Sequence, residues 1–305
     1  MLKSRLCIAF FAFAVGCAPA QKPLTDYVNP MLGTATLWDS VDLGFKPTKR
    51  TWGAEVFPGS SLPNAMVQVS PVTKFHSGAG YQYEDSVIYG FTHTNKGHWN
   101  LCHIPLLPVT GTPTPGDYCS PFSHERESAA PGYYQVFLDR YGVDAQLSST
   151  LRCAFHKYTY PAGAAASLLA DLQRSNEHVR AWDIRKEGDN VFAGWQQTGE
   201  KMYFYATSNF KIKEIGQVKD EKHEVSLIDF EDSKNAQPLE LKIGFSFVSI
   251  DNAKMNLEKE MIDKSFAQVR EEANDTWQQQ LSKILVSGGS EREKGIFYSC
   301  LYRSF

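Results

Sequence analysis

The segment from Thr92 to His103 carries the densest group of side chains that could bind a ligand. Trp99 stands between His98 and Asn100, and the other polar or reactive residues of the segment include His93, Asn95, Lys96, Cys102 and His103. Sugars bind through aromatic faces that stack on C–H surfaces and through planar polar groups that hydrogen-bond to hydroxyls. Trp99, His98 and Asn100 supply both, so we predict that they contact a sugar. The alternative is that Trp99 is a core residue and that the histidines are structural groups with satisfied hydrogen bonds.

A zinc site is a second hypothesis for the same segment. The metal-binding residue types in it are His93, His98, Cys102 and His103. Their spacing matches no compact zinc pattern, and the alternation of side chains along a strand would separate His98 from His93. The sequence therefore favours a sugar contact over a metal centre.

The turn at Phe57-Pro58-Gly59 is a second candidate contact region. A Pro-Gly pair is typical of a tight turn, which can bring backbone amides and a neighbouring ring close to a ligand. We predict Phe57 and Gly59 as further substrate contacts. A purely structural turn is the alternative.

The acidic residues do not form an evident catalytic pair. Hydrolysis of a glycosidic bond with inversion needs a protonated carboxyl and a carboxylate about 6.5–9.5 Å apart. Glu84 and Asp85 are adjacent, so in an extended segment their side chains point to opposite faces. The other acids near the aromatic and glycine-rich segments are Glu55, Glu125 and Glu127. Solvated acids in β loops are common, so no residue of this chain is predicted to be catalytic.

A calcium loop is not predicted either. The acidic run of Asp229, Glu231 and Asp232 lacks the glycine and the terminal glutamate of an EF-hand loop, so we interpret it as a solvated turn.

The elements that position these residues are mainly β-strands. Six short runs are rich in β-branched or aromatic residues and often alternate apolar with polar positions: residues 65–70, 133–138, 158–160, 191–195, 202–206 and 239–248. Two packed sheets are the usual way for so many strands to bury one face each. The sequence therefore predicts a β-sandwich over residues 21–250.

The pattern becomes helical after Asp251. Residues 253–285 contain no proline and carry apolar side chains at helical spacing, which predicts one long linker helix within residues 251–286. Ser290 and Glu293 form a capping box for another helix over residues 287–305. Its apolar period continues to Phe305 with no capping Gly or Asn, so we expect the sequence to be interrupted within this helix.

Residues 1–20 have the pattern of an export signal. Lys3 and Arg5 precede an apolar run, and small residues follow it. Two processing sites remain open: cleavage after Ala20, or cleavage before Cys17, which would then carry a lipid. Either one predicts that the protein leaves the cytoplasm. No later stretch approaches the roughly 20 apolar residues that a membrane-spanning helix needs.

Composition narrows the function classes further. With 42% hydrophobic residues and a net charge of −3, the chain is expected to be globular and to bind no nucleic acid. The cysteines after the signal are widely spaced, so they predict no metal or redox motif: Cys102, Cys119, Cys153 and Cys300. Free thiols are favoured over disulfides in a domain of this size, although the sequence cannot separate the possible pairings.

An ordered set of short motifs resembles the opening of family 92 glycoside hydrolases, the calcium-dependent α-mannosidases. The motifs are Asp26–Thr34, Val56–Pro63, Met66–Pro71, Gly80–Asp85, Ile88–His93, Ile104–Gly111, Phe122–Glu125, Pro131–Tyr134, Arg152, His156–Thr159, Ser246–Ser249, Trp277, Gly288–Gly289, Phe297–Tyr298 and Leu301–Tyr302. They cover nearly the whole chain after the signal. The segment from Lys96 to His103 departs from the small-residue stretch with an Asp that many relatives carry.

The resemblance implies a two-part, secreted bacterial enzyme. An N-terminal β-sandwich would pack on a C-terminal barrel of helical hairpins, of which residues 287–305 would be the first, incomplete helix. The family hydrolyses α-mannosides with inversion and uses Ca²⁺, and the turn at Phe57 approaches the terminal sugar. The catalytic acid, the catalytic base and most calcium ligands lie in the barrel, so this chain alone is expected to be inactive.

The partners implied are a mannose-containing glycan and the chain's own catalytic domain. The implied location is the periplasm or, as a lipoprotein, the outer membrane of a Gram-negative bacterium. The alternative function is a non-catalytic carbohydrate-binding β-sandwich module.

Overall fold

The computed structural model describes residues 22–36, 44–46, 55–96, 100–231 and 237–305, and only the backbone of Lys96 and Asn100. The export signal with Cys17, and the predicted contacts His98 and Trp99, lie outside the described residues. The predicted acid Asp232 does so as well.

Nineteen strands are described. In chain order they are β1 (Ser60–Ser61), β2 (Gln68–Val72), β3 (Val87–Ile88), β4 (Gly90–Thr92), β5 (Asn95–Lys96), β6 (Asn100–Leu101), β7 (Leu106–Val109), β8 (Ser120–Pro121), β9 (Glu127–Ala130), β10 (Tyr133–Leu138), β11 (Val143–Ser149), β12 (Cys153–Thr159), β13 (Ser167–Ala170), β14 (Ala181–Gly188), β15 (Val191–Gln197), β16 (Lys201–Ser208), β17 (Ile212–Lys219), β18 (Glu224–Phe230) and β19 (Leu239–Ser246). Short 3₁₀ helices occupy Leu24–Tyr27 and His124–Arg126.

Two antiparallel sheets form the body of the protein, which confirms the predicted mainly β fold. One sheet has the order β1-β2-β4-β7-β13-β18-β17, and the other has the order β14-β15-β16-β19-β12-β11-β10-β9. Strand β16 shows why the sheets pack: Met202, Phe204 and Ala206 are buried, whereas the alternate residues are only half-buried. Each fully buried side chain of the size of Phe204 contributes roughly 1.5–3 kcal/mol. One large apolar cluster fills the space between the sheets.

Three helices follow the sandwich: α1 (Ile250–Glu260), α2 (Phe266–Leu281) and α3 (Glu291–Tyr302). The prediction of one long helix over residues 253–285 is wrong, because Ser265 forms a capping box with Gln268 and starts a new helix there. The capping box of Ser290 and Glu293 is confirmed. Helix α3 ends at Tyr302, so the prediction that its helical pattern runs to Phe305 is also wrong.

The helices cover two parts of the sandwich. Helices α1 and α2 pack on the outer face of the eight-stranded sheet, where Phe155 meets Phe266 at a ring distance of 5.2 Å. Helices α2 and α3 hold the N-terminal 3₁₀ helix through an apolar cluster built around Trp277 and Tyr298. The backbone N–H of Asn29 also donates to Ser299 Oγ at 2.9 Å. The first and last described segments of the chain therefore pack together.

The predicted free thiols are confirmed for Cys102, Cys119, Cys153 and Cys300. In the described part of the chain, every helix is too short or too polar to cross a membrane.

Candidate functional site

Phe57 lines a cavity of about 400 Å³ between the sandwich and the C-terminal helices. We call it the junction cavity. Its walls come from the segment 55–68, from the hairpin of β5 and β6, and from helices α2 and α3; the lining residues used below are Glu55, Phe57, Gln68, Asn95, Leu101, Trp277, Tyr302 and Arg303. The cavity thus lies where the two structural parts of the chain meet.

Arg303 fixes the position of the Phe57 backbone. Its Nη1 donates to the carbonyl oxygen of Phe57 at 2.9 Å, and its Nη2 donates to the carbonyl oxygen of Pro30. The guanidinium also lies 5.9 Å from the centre of the Phe57 ring, and burial lowers the pKa of Arg303. A desolvated cation therefore ties α3 to the segment that carries Phe57. This segment bends at Gly59 and is not assigned as the tight turn that the sequence predicted.

Gly59 is buried against strand β2. A Cβ atom at this position would lie 2.1 Å from the carbonyl oxygen of Val69 and 2.5 Å from the Cα of Ser70, so no other residue fits without movement of the backbone. This close approach sets the direction of the chain as it leaves Phe57. The structure gives Gly59 a packing role, and its contact with a substrate stays a prediction.

The base of the β5–β6 hairpin is fixed by Asn95. Its Nδ2 donates to the carbonyl oxygen of Gln68 at 2.7 Å, and its Oδ1 accepts from Thr92 Oγ1 at 2.9 Å. After the hairpin, Leu101 and Cys102 adopt positive φ angles of 66° and 58°. Such strained backbone persists only where its surroundings determine it. Residues 97–99 connect β5 to β6 and lie outside the described residues, so the predicted contacts His98 and Trp99 remain predictions.

Asn100 belongs to strand β6, and its backbone pairs with Lys96. Its side chain is not described, so its predicted contact with the sugar also remains a prediction.

Two histidines of the predicted site segment are core residues. His93 is fully buried, and burial lowers its pKa to about 3. His103 lies between Thr94 Oγ1 at 2.8 Å and Thr198 Oγ1 at 3.0 Å, and burial lowers its pKa to about 4. For His93 and His103 the structural alternative is therefore the correct one. Within the residues that the structure describes, no group of three His, Cys, Asp or Glu side chains could hold a metal ion.

Three of the five acids considered in the sequence make structural contacts. Glu84 accepts from the backbone N–H and the hydroxyl of Thr36 at 2.7 and 2.8 Å, and Asp85 accepts from Thr73 Oγ1 at 2.8 Å. Glu127 accepts from Tyr81 and Tyr134. Among the described residues that line the junction cavity, Glu55 alone carries a carboxylate. The cavity by itself lacks the two carboxylates that inversion requires.

Sequence reasoning missed Arg303 as a functional residue. Trp277 and Tyr302 entered only as family motifs, yet they line the junction cavity with their rings 4.2 Å apart. The sequence feature that could have indicated Arg303 is its charge, because it stands among apolar residues that recur at helical spacing. A cation in such a position needs buried acceptors, which here are backbone carbonyls that no side-chain pattern reveals.

Two family profiles match the chain. The profile of the glycosyl hydrolase family 92 N-terminal domain matches residues 27–258, and that of the glycosyl hydrolase family 92 catalytic domain matches residues 252–305. No curated protein sequence matches the chain significantly.

Solved structures show the same similarity. The family GH92 α-mannosidase BT3965 from Bacteroides thetaiotaomicron, in complex with mannoimidazole, is 26% identical with a TM-score of 0.81, over 93% of this chain and 40% of that one. The inverting mannosidase BT2199 from Bacteroides thetaiotaomicron VPI-5482 is 23% identical with a TM-score of 0.77, over 92% of this chain and 39% of that one. The family GH92 glycosyl hydrolase ccman5 is 23% identical with a TM-score of 0.78, over 92% of this chain and 41% of that one.

The chain therefore spans about 40% of the length of the α-mannosidase structure that it matches. The two structures that are 23% identical to this chain support its fold and carry no argument about its activity.

Proposed function

The chain belongs to glycosyl hydrolase family 92, and from this premise we propose that it is the N-terminal part of a secreted, exo-acting α-mannosidase. The observation that carries the proposal is the order of the two domains along the chain. The N-terminal domain is matched over residues 27–258 and the catalytic domain only over residues 252–305. A relative 26% identical to this chain is described as an α-mannosidase, and the chain covers 40% of it.

The proposed reaction is hydrolysis of a terminal α-mannoside with inversion. A protonated carboxyl would donate to the leaving oxygen while a carboxylate activates a water on the opposite face of the sugar. We place both groups in the catalytic domain, because Glu55 is the single acid among the described residues of the junction cavity. The role proposed for this chain is to shape the sugar pocket with Phe57 and Gly59 and with Trp99, His98 and Asn100.

Calcium dependence is proposed for the full-length enzyme only. Among the described residues, no group of three His, Cys, Asp or Glu side chains could hold a metal ion. Oxygen ligands for Ca²⁺ would then come mostly from the catalytic domain. Loss of activity after chelation, with recovery on adding Ca²⁺, would support this part of the proposal.

We propose that the protein is exported, because residues 1–20 have the pattern of an export signal. Mass spectrometry of the mature protein distinguishes the two processing sites: an acylated Cys17 indicates a lipoprotein, and an unmodified N-terminus at Gln21 indicates cleavage after Ala20. An intact Met1 would contradict export.

The activity test compares the full-length gene product with the 305-residue chain on a chromogenic aryl α-mannoside. We expect the full-length protein to release mannose and the 305-residue chain to be inert. NMR of the first product should show the β-anomer, because inversion changes the configuration. Calcium-dependent release by the 305-residue chain would contradict the assignment of both carboxylates to the catalytic domain. Glycan binding without hydrolysis by the full-length product would favour the binding-module alternative.

The proposed contact at Trp99 is tested with Trp99→Ala in the full-length enzyme. Loss of ring stacking should lower kcat/KM by at least the equivalent of about 0.5–1.5 kcal/mol while thermal unfolding is unchanged. A core Trp99 would instead cost about 3–5 kcal/mol of stability. Unchanged melting together with unchanged kcat/KM would reject both hypotheses.

A further inference from the structure

A second, larger cavity of about 950 Å³ shares no lining residue with the junction cavity, although Leu101 of the junction cavity donates its backbone N–H to Glu177 of the larger one. We call it the cationic cavity. It is lined by the segment that follows β2, by Tyr89, and by residues 173–182, the last two of which begin β14; the lining residues used here are Lys74, Phe75, Tyr89, Arg174, Arg180 and Trp182. Nothing in the proposed reaction at the junction cavity uses it.

The cationic cavity carries an excess of positive charge. Lys74, Arg174 and Arg180 line it, and Glu177 is the one acid among its lining residues. The Glu177 carboxylate is turned towards the backbone N–H groups of Leu101, at 3.3 Å, and Gly199, at 3.5 Å. The Glu177 carboxylate therefore already accepts hydrogen bonds from the protein backbone.

Two of the three cations have no counter-charge. Arg174 pairs with the buried Asp171, with Nε 3.5 Å from Oδ2. Within the described ranges, Lys74 and Arg180 form no ion pair. Both side chains are exposed at the cavity. An anionic group entering there would meet two cations that form no ion pair with any described carboxylate.

Aromatic side chains complete the lining. Phe75, Tyr89 and Trp182 are half-buried, and the rings of Phe75 and Tyr89 lie 6.0 Å apart. Half-buried rings offer apolar faces to the C–H surface of a sugar. The cavity thus combines apolar ring faces with two cations that form no ion pair among the described residues.

Two of the polar side chains in this lining, Gln173 and Thr73, are already engaged by hydrogen bonds within the protein. Gln173 Oε1 accepts from the backbone N–H of Glu224 at 3.1 Å. Thr73 Oγ1 donates to Asp85 at 2.8 Å and accepts from the backbone N–H of Gln82 at 2.9 Å. A ligand held mainly by cationic donors must bring its own acceptors, and phosphate, sulfate and carboxylate oxygens are the best match for arginine.

One wall of the cavity is held rigidly. His76 has a φ of 57°, which is strained for a residue with a side chain. Asn176 holds it twice, since the His76 backbone N–H donates to Asn176 Oδ1 at 2.8 Å and His76 Nδ1 lies 3.0 Å from the Asn176 carbonyl oxygen. Strain that is held in this way is concentrated at binding sites.

From these observations we propose that the cationic cavity binds an anionic saccharide, a sugar unit that carries a phosphate, sulfate or carboxylate group. The sugar ring packs on the aromatic faces, and the anionic group pairs with Arg180 and Lys74. The site goes beyond the proposed hydrolysis, because it shares no lining residue with the junction cavity and needs no catalytic carboxylate.

The test is calorimetric titration of the full-length gene product at low ionic strength. The probes are mannose 6-phosphate, glucuronate, neutral mannose and inorganic phosphate. We expect the two charged sugars to bind more tightly than the other two probes. Arg180→Gln and Lys74→Gln should each weaken their binding by about tenfold or more, as expected for a lost charge-assisted hydrogen bond. Lys213→Gln removes an exposed charge that lines neither cavity and should change affinity less than about twofold.

Three results would overturn the proposal: charged sugars that do not bind, affinities that are equal in Arg180→Gln and Lys213→Gln, or inorganic phosphate that binds as tightly as mannose 6-phosphate. Thermal unfolding of each variant shows that it is folded. Hydrolysis of the aryl α-mannoside is measured in parallel, and Arg180→Gln should leave it unchanged. A protein that binds charged sugars but hydrolyses nothing would contradict the proposed function and leave this inference standing.

Discussion

The Nε2 atoms of His93 and His156 lie 2.9 Å apart in the interior of the sandwich, where neither side chain is exposed. His93 follows β4 of one sheet, and His156 belongs to β12 of the other. His93 Nδ1 lies 2.9 Å from the carbonyl oxygen of Ile104 and must donate to it. His93 Nε2 therefore accepts from His156 Nε2, and His156 Nδ1 accepts from the hydroxyl of Tyr158 at 2.6 Å. Both imidazoles are neutral in this chain of hydrogen bonds.

This pair predicts that the protein loses stability in mild acid. Burial lowers the pKa of His93 to about 3 and that of His156 well below its usual value. In the unfolded chain both pKa values return to about 6.5. Below that pH the unfolded state binds two protons that the folded state does not, so the free energy of unfolding falls as the pH falls. Each histidine contributes about 1.4 kcal/mol per pH unit.

Urea unfolding at pH 7, 6 and 5 measures this slope. In His156→Gln, whose amide can still donate to His93, the slope should decrease by the contribution of one histidine. The exposed His178 provides the matched control, and His178→Gln should keep the wild-type slope. Equal slopes in wild type and His156→Gln would contradict the assignment.

The histidines also show what the sequence could not reveal about the site. Residue types alone placed His93 and His103 with a ligand-binding segment, although both face the core. The partner of His93 is 63 residues away in the sequence, and Thr198, the partner of His103, is 95 residues away. Local spacing does not predict such pairs, because the packing of two sheets brings them together. Phe57, which was predicted from a local Pro-Gly pair, lines the junction cavity, and its contact with a substrate stays a prediction.

A second prediction concerns Gly59, whose position depends on the close approach of strand β2. In Gly59→Ala the new methyl group would collide with the carbonyl oxygen of Val69. We expect a loss of about 1–3 kcal/mol, as is usual for overpacking. Gly216→Ala is the control, since no atom lies within 4 Å of a Cβ there and its free energy of unfolding should change by less than about 1 kcal/mol. Equal urea midpoints for the two variants would be evidence against a close-packed Gly59.

The β elements followed from the sequence more reliably than the helices did. Strand β10 was predicted with its observed bounds, Tyr133–Leu138, because the run is rich in aromatic and β-branched residues. The break between α1 and α2 was missed, since apolar residues keep a helical spacing across it. The feature that separates the two helices is a local pair of polar residues, the capping box of Ser265 and Gln268.

A third prediction tests that signal. Ser265→Ala removes the hydroxyl that accepts from the backbone N–H of Gln268 at 3.3 Å, and it should cost about 1 kcal/mol of stability. Ser287→Ala changes an exposed serine in the loop before α3 and should be neutral within about 0.5 kcal/mol. Chemical denaturation of both variants makes the comparison. A Ser265→Ala protein as stable as Ser287→Ala would show that the capping box does not define the start of α2.

Arg303 joins three parts of the chain, since it lies one residue after α3 and donates to carbonyl oxygens of Phe57 and Pro30. Its planar guanidinium reaches both acceptors at once, which a lysine ammonium on a single flexible stem does not reproduce. The side chain therefore holds the backbone of Phe57 from the side of the helices.

We predict that Arg303→Met destabilises the protein by about 2–3 kcal/mol, because two hydrogen bonds from a charged donor are lost and two carbonyl groups lose their partner. Arg303→Lys should restore less than half of this loss. Arg292→Met is the control, because Arg292 is exposed at the start of the same helix, and it should change the free energy of unfolding by less than about 0.5 kcal/mol. If Arg303→Met unfolded at the same urea concentration as Arg292→Met, Arg303 would not be what holds the Phe57 segment against the helices.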